Sequence, residues 1–167
     1  GENGGAYLSL VKRKGAWADG LPDETGKRPG LQGPIDDAFV APFLVVLPSS
    51  KCRHPEVERW VKFEQAHFLS RWEALVRGKP RVKLDEEVTA EDRAKYHLIL
   101  WGDPAANSVV HRIVDKLPIT WTDDAVGIGT ERKSAESHAL LMIYPNPEAP
   151  DRYIVLNSGP TFREGHD

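Results

Sequence analysis

Cysteine is almost missing from this chain: Cys52 is the only one among 167 residues. A single thiol excludes an internal disulfide, and with it the small folds that rely on disulfide staples. Cys52 stands beside Arg53 and His54, which suggests an activated thiol. No third orienting group accompanies it, so a structural cysteine is the better reading. Long apolar runs are also missing. The longest, residues 43–47 and 98–101, fall far short of the roughly 20 residues that a membrane helix needs, so no membrane span is expected. Charge of one sign is lacking too. The chain carries 22 basic and 25 acidic residues for a net charge of −3, and the basic ones are scattered among the acids. That gives no support to a nucleic-acid or other polyionic partner, and none is expected.

Catalytic signatures are equally scarce. There is no G-x-S-x-G elbow of the kind that exposes a serine nucleophile between a strand and a helix. Ser158 follows a strand but is succeeded by Gly159 and Pro160, with no helix to complete an oxyanion hole. Ser49 and Ser50 do lie between a strand and a helix, yet lack the flanking glycines that close an elbow. The six histidines form neither H-E-x-x-H nor H-x-x-E-H, and the acidic pairs Asp36-Asp37 and Asp123-Asp124 lack the alternating oxygen ligands of a calcium loop. No phosphate loop is present. No cofactor and no metal are therefore expected. The opening segment GENGGAYLSL has neither Met nor the apolar stretch of a signal peptide. It reads as the start of a fragment whose targeting signal lies elsewhere.

What is present is an alternation of strands and helices in a chain long enough to bury a core. Residues 6–12 alternate as a short strand, with a hairpin-like turn at 12–15 leading to Trp17. Residues 20–33 hold four Gly and two Pro and read as an extended linker, which puts the domain boundary near Pro34. The segments are then 1–33, a strand plus linker, and 34–167, a single α/β domain. Residues 39–48 are nearly continuous apolar, the pattern of a strand buried on both faces of a parallel sheet, with Pro42 at its start or on a bulge. A long helix is predicted over 55–77. Pro55 occupies its first position, Val57, Trp60, Val61, Glu64, Phe68, Trp72, Leu75 and Val76 form one stripe, and Gly78 stops it. Thr89 caps a short helix ahead of Glu91 and Asp92.

The most informative stretch is YHLILWGDPAANSVVHRIVDKL, residues 96–117. A strand at 97–102 runs through Gly102-Asp103-Pro104 into an amphipathic helix predicted over 104–116, with Asp103 as its cap. Short strands follow at 119–121 and 125–129, then two apolar strands at 139–144 and 153–157 separated by the Pro-rich turn PNPEAPD. The expected fold is α/β, a three-layer flavodoxin-like or Rossmann-like core with a mostly parallel sheet and an antiparallel extension. In such sheets ligands favour the crevice beyond the carboxyl ends of the strands. The candidate ligand-binding residues are accordingly Ser49, Ser50, Gly102, Asp103 and Asn107, with helix capping by Asp103 as the competing role. Because Asp103 is acidic, a neutral or cationic ligand is favoured there over a phosphate. Trp60, Trp72, Trp101 and Trp121 read as packing residues, Trp72 in the core. Trp17 lies in a polar region, where it anchors the linker or a neighbouring domain.

One resemblance adds a setting. KRPGLQGPIDDAF (27–39), LILWGDPAANSVV (98–110), LPITW (117–121), LMIYPNP (141–147) and RYIVLNSGPTFRE (152–164) together resemble the C-terminal region of large bacterial prolyl-oligopeptidase-like serine hydrolases of planctomycetes and acidobacteria. In those proteins the Ser-Asp-His unit belongs to a separate upstream α/β-hydrolase domain, and nothing in this chain matches that unit. The resemblance implies a non-catalytic accessory domain, covalently linked to such a hydrolase domain and located outside the cytoplasm, extracellular or periplasmic. The alternative is a free-standing small-molecule enzyme or binding domain that uses the crevice near Ser49, Asp103 and Asn157.

Overall fold

A computed structural model describes residues 10–20 and 27–160. Its first element is a hairpin of β1 (Leu10–Arg13) and β2 (Ala16–Asp19). Lys14 and Gly15 turn it with φ of 50° and 85°, the positive pair that a tight hairpin requires. The part of the first predicted strand before Leu10 lies outside the described residues, as do residues 21–26 of the predicted linker. Within the rest of that linker Leu31 is buried and joins the core.

The central sheet has five strands: β3 (Phe43–Leu47), β4 (Val82–Leu84), β5 (His97–Leu100), β9 (Met142–Asn146) and β10 (Ala149–Leu156), in the order β4-β3-β5-β10-β9. Strands β4, β3, β5 and β10 are parallel, and only β9 runs antiparallel to its neighbour. Phe43–Leu47 therefore lies beside residues 97–100 in parallel, as their unbroken apolar character predicts. Alternation explains that character. Phe43, Val45, Ile99, Tyr153 and Val155 point to one side and meet Val57, Val61 and Phe68 of helix α1 (Pro55–Val76). Leu44, Val46, Leu98, Leu100, Ile154 and Leu156 point to the other and meet Val109, Val110 and Ile113 of helix α3 (Ser108–Ile113). A residue on either face is buried, so the stretches 43–47, 98–100 and 154–156 are apolar throughout. Each fully buried aliphatic side chain contributes about 1.5–3 kcal/mol.

The remaining elements follow local rules. Helix α2 (Ala90–Lys95) carries the predicted cap: Thr89 Oγ1 accepts from the Asp92 amide at 3.1 Å while Asp92 Oδ2 accepts from the Thr89 amide at 2.9 Å, a reciprocal capping box. Lys83 Nζ, 2.6 Å from Asp92, leads in holding that carboxyl down at about 2. Strands β6 (Ile119–Trp121), β7 (Ala125–Ile128) and β8 (Lys133–Ser134) form a separate antiparallel sheet, so the two predicted short strands do pair.

Several boundaries differ from the sequence reading. Residues 35–39 form a 3-10 helix rather than the start of the strand, and Pro42, which has no N–H to donate, stands just before β3. The predicted Pro-rich turn is mostly strand. Only Pro147 and Glu148 separate β9 from β10, because edge strand β9 tolerates Pro145 and the pairing shifts register between Ala149 and Tyr153. The stripe of α1 stops at Trp72, since Leu75 and Val76 in its last turn are half exposed at 48% and 50%. Trp72 itself is half-buried, with its ring centroid 4.9 Å from Phe43 and 5.9 Å from Phe39.

Two outcomes follow. Trp72→Ala should cost about 3 kcal/mol in urea unfolding, whereas Leu75→Ala should cost less than about 1 kcal/mol. The second concerns His97, which is buried and accepts the Tyr153 amide at Nδ1, 2.7 Å away. Burial, then the Arg152 charge, pushes its pKa down. A histidine held neutral in the fold but titrating near 6.5 when unfolded contributes stability that is complete above about pH 6.5 and lost as pH falls below it. Unfolding midpoints between about pH 7.5 and 5 should show this slope. His97→Asn, which retains an acceptor but does not titrate, should remove it.

Candidate functional site

Strand order reverses at β3: the chain goes from β3 outward to β4, then back across to β5. The crevice outside the carboxyl ends of β3 and β5 is thus the switch point at which doubly wound sheets bind ligands. Pro48-Ser49-Ser50 leaves β3 there and Trp101-Gly102-Asp103 leaves β5, and the Ser50 amide donates to Ala106 O at 3.2 Å. The structure therefore brings the five predicted residues to one edge, and then occupies most of them internally.

Asp103 is 4% exposed. Its Oδ1 accepts from the amides of Ala105 and Ala106 at 3.0 and 2.9 Å, and its Oδ2 from the Arg53 amide at 2.7 Å. It braces its own turn and the loop before α1; it does not cap α3. That helix begins at Ser108, four residues later than predicted, because residues 104–106 close a turn through amides of Ala106 and Asn107 bonded to Asp103 O. The cap is Asn107, fully buried, whose Oδ1 accepts from Val109 and Val110 at 3.0 and 3.2 Å while its Nδ2 donates to Trp101 O at 2.9 Å. Gly102 has φ 100°, and a Cβ there would lie 3.2 Å from Pro48 Cβ and 3.3 Å from Ala106 Cβ, so both backbone conformation and close packing require glycine.

Two more residues complete the edge: Asp85, which the sequence did not single out, and Asn157, which the free-standing-enzyme alternative places at the crevice. Asp85, after β4, is buried and accepts from the Ser49 amide at 2.7 Å and the Ser108 amide at 2.6 Å. Burial pushes its carboxyl pKa up, but the bonds from Ser108 and Ser49 outweigh it and the net shift is downward. Asn157, at φ 48°, accepts the Gly102 amide at 2.8 Å and donates to Gly102 O and Leu140 O at 3.2 Å each. The only signal for either was a polar residue just past an apolar strand, a pattern shared with ordinary turns.

Three hollows surround this laced edge. Ser49 and Ser50 line a shallow one of 390 Å³ with Asp85 and Ser108. A second, of 350 Å³, lies between the starts of α1 and α3 and the small sheet, lined by Arg53, His54, Asp103, His111 and Asp123. There His54 Nε2 bonds Asp123 O at 2.7 Å and Arg53 pairs with the Asp123 carboxylate, stitching α1 to the β6–β7 turn. The third is an aromatic cleft of 190 Å³ on the α1 side, lined by Trp60, Glu64, Phe68, Trp101 and Ser158 among others. Phe68 and Trp101 stack with centroids 6.0 Å apart. Gly159 presses on that wall; a Cβ there would come within 2.7 Å of Phe68 Cδ2. The sequence reading assigned Trp60 and Trp101 to packing alone. Trp60, Glu64 and Phe68 at four-residue spacing were the available sign of a shared face.

Among the described residues, no group of three or more His, Cys, Asp or Glu is placed to hold a metal ion, and no helix is long and apolar enough to cross a membrane. Cys52 is buried, and burial followed by the Asp103 charge pushes its thiol up to about 11, which leaves it protonated and unreactive at neutral pH. Ser158 Oγ donates to Gly159 O at 2.9 Å. Compared with known proteins, the chain matches no family model and no curated protein.

Asp85→Ala should destabilise by about 2–4 kcal/mol, because it leaves two amides without their charged acceptor. The contribution of this carboxylate is present above about pH 4 and lost as pH falls below it. Acid titration of the wild type and of Asp85→Ala, followed by circular dichroism, should show the two stabilities converging below that pH.

Proposed function

We propose that this chain is a non-catalytic accessory domain of a secreted or envelope serine hydrolase or peptidase, aiding domain packing or substrate contact. One observation carries this reading: Asp85, Asp103, Asn107 and Asn157 are all bound to backbone groups of the chain itself. A general base or oxyanion donor must have a free lone pair or N–H aimed at the reacting atoms. These side chains are instead buried and bonded to the chain's own backbone. The resemblance of GPIDDAF, YPNP and VLNSG to the C-terminal regions of prolyl-oligopeptidase-like proteins supports the same reading, with the catalytic machinery in a covalently linked α/β-hydrolase domain upstream. An extracellular or periplasmic location goes with it. For the fold, the order β4-β3-β5-β10 with its reversal at β3, and apolar clusters on both faces of the sheet, favour a three-layer flavodoxin-like arrangement over a Rossmann-like one.

The alternative, a free-standing enzyme or small-molecule binding domain at the crevice, would use Ser49, Ser50, Gly102, Asp103 and Asn107. The enclosure of Asp103 and Asn107 weighs against it.

Incubation of the chain with a broad fluorophosphonate should give no labelled peptide. In the full-length gene product, the label should fall on a serine outside residues 1–167. Stoichiometric labelling of Ser49, Ser50 or Ser158 would overturn the proposal.

A further inference from the structure

We propose that the open edge of β4 pairs with the same edge of a second copy of this chain, antiparallel about a twofold axis at Lys83. The pairing is a property of the folded chain, whether or not a hydrolase domain is attached.

Strand β4 ends the five-stranded sheet on its side and is bonded to β3 alone. Arg81 O accepts the Val45 amide at 2.9 Å, so the backbone groups of Arg81 and Lys83 face β3. Those of Val82 and Leu84 face outward, because successive residues of a strand alternate. An open edge of this kind is a template for another strand. The Leu84 amide is closed by the Glu87 carboxylate at 2.9 Å, an exposed bond. Val82 N–H and C=O and Leu84 C=O point out with no neighbouring strand to bond them. Two features that ordinarily guard an edge do not close this one. Pro80 precedes the strand, and Lys83 is drawn to Asp92, 2.6 Å away on the far face of the sheet from α1.

Val82 is in register with Val45, so Val82 and Leu84 point to the α1 side of the sheet. They stay 42% and 43% exposed there. Charge then selects the occupant. Lys79 and Arg81 stand before this apolar pair, Glu86 and Glu87 stand after it, and all four are exposed. A parallel copy would set like charges against like. A strand of one charge sign would match one flank and oppose the other. An antiparallel copy centred on Lys83 sets Lys79 opposite Glu87 and Val82 opposite Leu84, twice over. That is the self-complementarity a twofold interface requires. The Val82 amide then donates to Leu84 O of the second copy. Glu87 exchanges the Leu84 amide for Lys79 of the second copy, which leaves that amide for Val82 O. The two Lys83 side chains meet at the axis, each neutralised by its own Asp92.

The test is sedimentation equilibrium of the 167-residue chain from micromolar to near-millimolar concentration. Pairing through so short a strand is a small interface, so a dimer with Kd on the order of 10–100 µM should form. Raising NaCl from about 0.05 to about 0.5 M should weaken it about fivefold. Val82→Pro removes an outward amide while leaving the bonds to β3, and should weaken the dimer about tenfold or more. Glu87→Lys and Lys79→Glu should each weaken it about tenfold, and the two together should restore it to within about threefold of wild type. Phe63→Ser, at an exposed position of α1, should leave it unchanged. Circular dichroism confirms that each variant folds; the exposed charge variants keep the test sound if Val82→Pro does not fold. A chain that stays monomeric throughout overturns the inference, including one whose β4 edge takes up a peptide or the upstream domain instead. So does a dimer that survives Val82→Pro or the single charge reversals, is not restored by the double exchange, or is lost in Phe63→Ser.

Discussion

The structure depends on three parallel strands, β3, β5 and β10, whose paired stretches are buried on both faces and end together at one edge. Their backbones must leave the sheet without stranding polar groups, since an unpaired buried amide costs as much as a lost hydrogen bond. Here side chains from the neighbouring loops do that work. Asp85 ties the loops after β4 and β3 to the start of α3, Asp103 ties the loop after β5 to that before α1, and Asn157 ties the end of β10 to Gly102. The carboxyl edge is a lattice of side chain to backbone bonds.

That lattice shapes what the protein can do. The switch point of a doubly wound sheet is ordinarily where free loop amides receive a ligand. In this chain those amides already have acceptors, two of them carboxylates. On the α1 face, Trp60, Glu64, Phe68 and Trp101 border a cleft walled by aromatic rings. The aromatic cluster is also structural: Phe39, Phe43, Phe68 and Trp72 pack edge to face or tilted around the same helix.

Much of the fold was legible in the chain because strands and long helices announce themselves by period. Residues 43–47 and 97–100 are apolar without alternation, and that pattern has one economical explanation, burial on two faces. The cap at Thr89 and the start of α1 at Pro55 are local events governed by one or two residues. The start of α3 was misplaced because Asp103 and Asn107 are both good caps in sequence. Only the approach of Arg53 from another loop draws Asp103 away from the helix. The exposed end of α1 was misread because apolar spacing shows which way a face points, not how far the sheet beneath it extends.

By itself, then, the sequence determined the mixed α/β class, the parallel pairing of β3 with β5, the meeting of the 49–50 and 102–107 loops at one edge, and the lack of any local catalytic motif. These rest on periodicity and on residues close together in the chain. Tertiary structure alone decided that Asp85 belongs to that edge, that Asp103 is enclosed, and that Trp60 and Trp101 border a cleft. Each of those outcomes joins residues 23 or more positions apart, and a pairing over such a distance leaves no periodic trace in one sequence.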